Sequence, residues 1–211
     1  MKKAKHKGET PFHLPAKPLL IVLSGPSGAG KDAILSRMKK SGYPLRFITT
    51  VTTRPPRAKE RDNVDYHFVS VENFQKMLKN KKLLEWANVY GHWYGVPKAP
   101  LKQALDKGQD TVVKVDIQGA ATIKKIVPQA VFIFIAPPSI KELVKRLSER
   151  HTESPNDFAL RLKTAGEEMK KRPLFDYLVV NRQGEIRLVV SEIEAIITAE
   201  KHRVKPREIR I

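Results

Sequence analysis

The chain predicts an α/β fold, a parallel sheet flanked by helices, with a smaller mixed unit inserted between two of its strands. Short apolar runs alternate with helical periodicity from Leu19 onward, the order that builds parallel sheets. Residues 130–136 (AVFIFIA) are apolar at every position, which suits a strand covered on both faces. Residues 19–32 (LLIVLSGPSGAGKD) read as strand, glycine-rich loop and helix in direct succession. With 211 residues there is material for one good core and an insertion.

Each element follows in order. Residues 1–17 are polar, basic and proline-containing, and read as a mobile arm. The first strand is 19–24. A helix runs from Asp32 to about residue 40 with Ala33, Ile34, Leu35 and Met38 inward, and 41–44 (SGYP) stops it. Residues 45–51 read as the second strand. Residues 52–97 change character. They hold a donor-rich loop (TTRPPR), a short strand at 66–70 and a helix at 71–80. An extended stretch at 83–90 and a turn at 91–95 follow.

The core resumes with a helix at 98–107, a buried strand at 111–116 (TVVKVD), a helix at 117–126 and the strand at 130–136. Pro137 and Pro138 break that strand, and Ser139 caps a helix to about residue 150. A polar stretch at 151–156 separates it from a helix at 157–171. The last strand is 177–180 and the last helix 185–202. The core is therefore expected at 18–51, 98–136 and 170–202, the insertion at 52–97, a helical flap at 137–169 and a solvated basic tail at 203–211.

Composition narrows the function. There is no cysteine, so thiolate nucleophiles, cysteine metal sites and disulfides are excluded, in keeping with a reducing cytoplasm. The apolar run at 19–23 is too short to span a bilayer, and neither a signal peptide nor a membrane segment is expected. The net charge of +18 suits either nucleic acid or a phosphate-rich substrate. Much of the excess sits at the two ends, and no basic stripe carries interleaved aromatics. A specific nucleic-acid partner is not expected.

The loop at 24–32 has the spacing G-x-x-x-x-G-K from Gly25 to Lys31. Gly25, Gly28 and Gly30, with Pro26, Ser27 and Ala29 between them, let the backbone curl so that N–H groups converge on one anion. The helix N-terminus adds partial positive charge, and Lys31 a mobile cation. The motif names a phosphate and no reaction. The next residue, normally Ser or Thr, is Asp32.

The second informative stretch is TTRPPRAKERDNVDYHFV, residues 52–69. Arg54 and Arg57 on a stiff loop can bracket a dianion with forked donors, although charge alone reads equally well as a solvated loop. Together with the Gly25 loop, this stretch resembles the guanylate kinases, over about residues 19–181.

That resemblance implies a phosphate-loop kinase fold in which 52–97 is a GMP-binding subdomain and 137–169 a lid. It implies transfer of the γ-phosphoryl group of ATP to GMP with Mg²⁺ as cofactor, in the cytoplasm, by a monomer or homodimer. Gly25 to Asp32 and Asn181 would bind ATP. Arg54, Arg57 and Tyr66 would hold the GMP phosphate, and Thr50, Glu60, Tyr94 and Gly95 also match GMP-site positions. Glu85 and Asp116 match the acids that read guanine N1 and N2. A carboxylate only accepts, and guanine presents N–H donors on that edge. Spacing alone reads Glu85 and Asp116 as an exposed acid and a strand-end acid. Lys31, Arg54, Arg146, Arg150 and Arg161 would act on the transferring phosphoryl group; Arg146 and Arg150 alone would read as a solvated helix face. No catalytic base is needed, because a phosphate with a second pKa of about 6 is a ready dianion. His67, His92 and His151 are given no such role.

The chain departs from the family pattern at four places. Asn63 replaces a glycine, which a turn with positive φ tolerates. Val96 stands where a hydroxyl should meet guanine O6. Asp32 replaces the hydroxyl that meets Mg²⁺, and is expected to ligate the metal directly or through water. Lys114 stands where an acid is usual. The Gly-Lys-Asp loop and Val96 also resemble a kinase of ribose 1,5-bisphosphate, which needs neither the acids nor the full arginine loop. A catalytically dead binding module of the same fold would tend to lose Lys31 and the loop glycines.

Overall fold

The computed structural model describes residues 17–58, 60–148 and 155–211, with side chains outside 155–161. Along the chain run β1 (Leu20–Ser24), α1 (Lys31–Ser41), β2 (Arg46–Ile48), β3 (Val51–Thr52), β4 (His67–Phe68) and α2 (Val71–Lys79). Then come β5 (Leu83–Val89), β6 (His92–Pro97), α3 (Lys98–Asp106), β7 (Thr111–Lys114), α4 (Ile117–Ile126) and β8 (Val131–Ala136). The chain closes with α5 (Ile140–Ser148), α6 (Pro155–Lys170), a 3-10 turn (Arg172–Leu174), β9 (Tyr177–Val180) and α7 (Ile186–Lys201).

The central sheet has five strands in the order β2-β7-β1-β8-β9, and every pairing in it is parallel. Alternation along β1 shows why both faces are covered. Ile21 and Leu23 join Ile34 and Met38 of α1 and Ile193 and Ile197 of α7. Leu20 and Val22 join Leu101 of α3, Ile123 of α4 and Phe132. A strand sealed on both sides has no polar face, which is why β1 and β8 read as unbroken apolar runs.

The insertion forms a second sheet of order β4-β3-β6-β5. Phe74 of α2 stacks on Trp93 with ring centroids 6.1 Å apart, and Trp86 meets Trp93 edge-on at 5.2 Å. Asn63 adopts φ 58, the conformation its side chain tolerates.

Three expectations change. The strand expected at 45–51 is two strands: β2 pairs with β7, whereas β3 leaves for the second sheet and pairs with β6. Only Thr49 and Thr50 separate them, so one sequence run serves two sheets. The turn expected at 91–95 is confined to Tyr90 and Gly91, both at positive φ (51 and 80); two such residues close a tight hairpin, and β6 starts at once. Residues 203–211 are docked through Arg207, Ile209 and Ile211, while the residues between them stay exposed. Arg207 donates twice to Glu200, at 2.8 and 2.8 Å, and once to Ala130 O at 3.0 Å, while Ile209 and Ile211 pack on the core. Glu200 is 2% exposed and also accepts from Tyr177 Oη at 2.6 Å. A buried carboxylate needs such partners, and the tail supplies the cation. The arm at 1–16 lies outside the described residues.

Candidate active site

The carboxyl ends of β1 and β7, the loop at 24–30 and the second sheet enclose a cleft of about 440 Å³. One wall is the phosphate-type loop. Gly25 sits at φ +149 against β8, where a Cβ would stand 2.1 Å from Ile135 O, so only glycine lets the loop pass. Helix α1 opens on Gly30 with no side-chain cap, leaving its first N–H groups to face the cleft. Lys31 Nζ donates to Gly25 O at 2.5 Å and Pro26 O at 3.0 Å. Burial pulls its pKa down to about 8, opposed by the carboxylates of Glu168 and Asp32. Ser27 N–H donates to Glu168 Oε2 at 3.3 Å.

The opposite wall carries Arg54, Tyr66 and Tyr94. Arg54 Nη2 reaches both oxygens of Glu60 at 2.9 and 2.9 Å, and its Nε donates to Tyr94 Oη at 3.2 Å. Glu60 also accepts from Arg57 N–H at 2.8 Å. It therefore orients the arginine loop. The Arg54 guanidinium lies 5.4 Å from the Tyr66 ring centre and the Lys114 ammonium 3.9 Å from it. Thr50 and Gly95 line the same cleft.

At the cleft floor two acids meet. Glu85 is 4% exposed, and its Oε2 is buried with no hydrogen-bond partner. Burial, and then the neighbouring Asp116 charge, push its pKa up to about 8. Asp116 caps α4, accepting from Gly119 N–H at 2.9 Å and Gln118 N–H at 3.2 Å. Burial raises its pKa against those two N–H groups. Gly119 is the close neighbour of both: a Cβ on it would stand 2.7 Å from Glu85 Oε2 and 3.1 Å from Asp116 Oδ1.

A phosphate-type loop facing an arginine loop, with acids between, narrows the comparison with known proteins. The guanylate kinase family model matches residues 17–200. The chain belongs to the guanylate kinase family. It is 44% identical over 202 residues to guanylate kinase 2, chloroplastic/mitochondrial, of Oryza sativa, covering 95% of this chain and 71% of that one. It is 42% identical over 193 residues to the guanylate kinase of Carboxydothermus hydrogenoformans, covering 92% and 93%. The crystal structure of guanylate kinase from Anaplasma phagocytophilum superposes with a TM-score of 0.76 at 31% identity, covering 90% of each chain. Guanylate kinase function follows for this chain.

Most residues matched to the family pattern converge on the cleft: Gly25, Ser27, Gly28, Gly30, Lys31 and Asp32 on one side, and Thr50, Arg54, Arg57, Tyr66, Glu85, Tyr94, Gly95 and Asp116 on the other. Others lie elsewhere. Asn181 braces the loop from behind, donating to Ala29 O at 2.8 Å. Arg146 is tied to Glu142 at 3.1 Å and to Asn181 O at 2.9 Å. Arg150 and the Arg161 side chain lie outside the described residues. Val96 is wholly buried beside Leu84 and Leu101, so its side chain fills the core.

Three participants were missed or left unexplained. Glu168 gave no local signal, being one acid among several on α6. Gly119 lies in the first turn of the helix at 117–126 and carries no local signal; its contact with Glu85 is tertiary. Lys114, a lysine inside an apolar strand, was visible, but its partners were not. It forms an ion pair with Asp32.

Among the described residues no group of three or more His, Asp and Glu could hold a metal ion by itself. Asp32 is 58% exposed at the cleft end of α1. Mg²⁺ commonly takes one or two carboxylates and completes its shell with phosphates and water. The donor set therefore fits a metal shared with a nucleotide, not an all-protein cage. No described helix is long and apolar enough to cross a membrane.

Proposed function

We propose that the chain transfers the γ-phosphoryl group of ATP to GMP, giving ADP and GDP. The observation that carries this is Glu85 Oε2, a buried acceptor without a donor beside Asp116, in one cleft with a phosphate-type loop. Guanine offers N1–H and a 2-amino group to such a pair. Adenine offers an acceptor at N1 and would leave a carboxylate unmatched, at a cost of ~1–3 kcal/mol or more.

In this reading the loop N–H groups and Lys31 hold the ATP phosphates, while Arg54, Arg57 and Tyr66 hold the GMP phosphate. Glu60 keeps Arg54 aimed, and Asn181 keeps the loop in shape. An oxygen of the GMP phosphate bonds to the γ-phosphorus as the bond from that phosphorus to the β–γ bridging oxygen breaks, and ADP leaves with the electron pair. The acceptor is already a dianion, so no residue need remove a proton. The work of the site is to bring two polyanions into line and to exclude water. Arg146, Arg150 and Arg161 would reach the phosphates on closure of 137–169. Asp32 would hold Mg²⁺, which supplies charge neutralisation to the phosphates.

The test is a coupled assay with GMP, dGMP, AMP and ribose 1,5-bisphosphate as acceptors. GMP is expected to give the highest kcat/KM. Ranking AMP or ribose 1,5-bisphosphate above GMP would overturn the reading.

A further inference from the structure

Lys114 ends β7 on the cleft floor, and its side chain is only 10% exposed. Removing an ammonium from water is costly unless a counter-ion meets it. Asp32 supplies that counter-ion, from the first turn of α1 and directly after Lys31. Lys114 is therefore a paired ammonium at the seam between the two walls.

Its position relative to Tyr66 gives that charge a use. The Lys114 ammonium stands 3.9 Å from the Tyr66 ring centre, and the Arg54 guanidinium 5.4 Å from the same ring. Two cations gathered at one tyrosine repel each other. An anion at the tyrosine hydroxyl relieves that repulsion, and a dianion relieves it most. Glu60 neutralises Arg54 in part, and Asp32 does the same for Lys114, so each cation waits on a carboxylate from its own side of the cleft.

We propose that Lys114 is a further binding residue for the acceptor monophosphate, stored on Asp32 and acting opposite Arg54 across Tyr66. The inference rests on the GMP site proposed above. It makes Asp32 and Lys114 one unit: the acid holds the lysine in place, and when the lysine engages the acceptor phosphate the acid turns to the donor side. Both unusual residues then serve one arrangement, a protein cation at a position where the family pattern has an acid.

The experiment measures binding of GMP, guanosine and AMP by calorimetry, without ATP and with chelator present, so that no metal or turnover contributes. Thermal melting reports on folding. Wild-type protein preferring GMP over AMP establishes the acceptor site; the reverse order overturns that reading and this proposal with it. Given that preference, Lys114→Met is expected to weaken GMP at least about tenfold while changing guanosine less than about twofold, and Lys114→Arg to stay within about threefold of wild type. Equal losses for GMP and guanosine, or no loss for GMP, overturn the proposal. The double variant Asp32→Asn/Lys114→Met separates binding from packing, since it removes both charges together. It is expected to melt near the wild-type temperature and still bind GMP weakly. Recovery of wild-type GMP affinity in the double variant would mean that the lysine only balances Asp32, and overturns the proposal even where a single variant fails to fold.

Discussion

Glu85 shows how one side chain can be held ready for a ligand. Its Oε2 has no protein donor, and burial with the Asp116 charge lifts its pKa to about 8 from an ordinary 4.5. The folded protein therefore holds a proton that the unfolded chain releases above about pH 4.5. That contribution to stability is complete below the unfolded value and is lost as pH rises through about 8. Glu85→Gln removes the cost of the buried charge, so the variant should gain ~1–3 kcal/mol over wild type near pH 8 and little near pH 4.5. Chemical denaturation at the two pH values measures this. GMP binding should move the other way. In the proposed GMP site the guanine N–H donors need the ionised acid, so GMP affinity should rise from about pH 6.5 to about 8 with release of a proton, read by calorimetry in buffers of different ionisation heat. Glu85→Gln should lose that proton release and ~10–100-fold in GMP affinity.

At the scale of elements, α6 reaches back from the 137–169 segment to the phosphate-type loop. Glu168, near its C-terminal end, accepts from Ser27 N–H and is the largest of the charges that raise the Lys31 pKa. The helix thus sets part of the electrostatics of that loop. Glu168→Gln keeps an acceptor and removes the charge, so the Lys31 pKa should fall below about 8. In the proposed ATP site the protonated lysine is the form that holds phosphate. The alkaline limb of kcat/KM for ATP should therefore move to lower pH, by ~0.5, with GMP affinity unchanged. A pH–rate profile of the variant checks it. The hairpin of β5 and β6 makes a second element-scale point. Its two-residue turn at Tyr90 and Gly91 sets the register that puts Glu85 opposite Val96 and Trp86 opposite Gly95.

The whole molecule places its chemistry at the carboxyl ends of the parallel strands and its C-terminal tail at the amino ends, the general division of labour in open α/β sheets. Arg207 joins Glu200 of α7 and the carbonyl of Ala130 just before β8, and lies 3.6 Å from Asp176 just before β9. Arg207→Ala takes from buried Glu200 both of its short arginine hydrogen bonds and leaves it only one cation, Arg203, 3.6 Å away. Because the arginine is partly exposed, the expected loss is ~1–3 kcal/mol, a melting temperature lower by ~3–8 °C. Activity at room temperature should stay within about twofold of wild type, since the pair lies at the end of the sheet away from the cleft. Thermal melts beside a steady-state assay measure both.

Local sequence determined the parts that local physics controls. The unbroken apolar runs of β1 and β8 named a doubly covered parallel sheet, because no polar residue interrupts either face. The spacing from Gly25 to Lys31 named a phosphate loop, because a curled backbone before a helix N-terminus needs those glycines. The 52–69 stretch brought Arg54, Arg57 and Tyr66 to one wall. Tertiary structure alone decided the rest. Residues 45–51 serve two sheets, since a strand's partner is not written in its own run. Glu60 and Asn181 act by orienting other groups, and Val96 belongs to the core. Arg207 docks because a distant acid is buried. Above all, Asp32 and Lys114, 82 positions apart in the chain, form one ion pair. Each reads alone as a lapse from a motif; their opposite charges, brought together out of water, are what make them a unit.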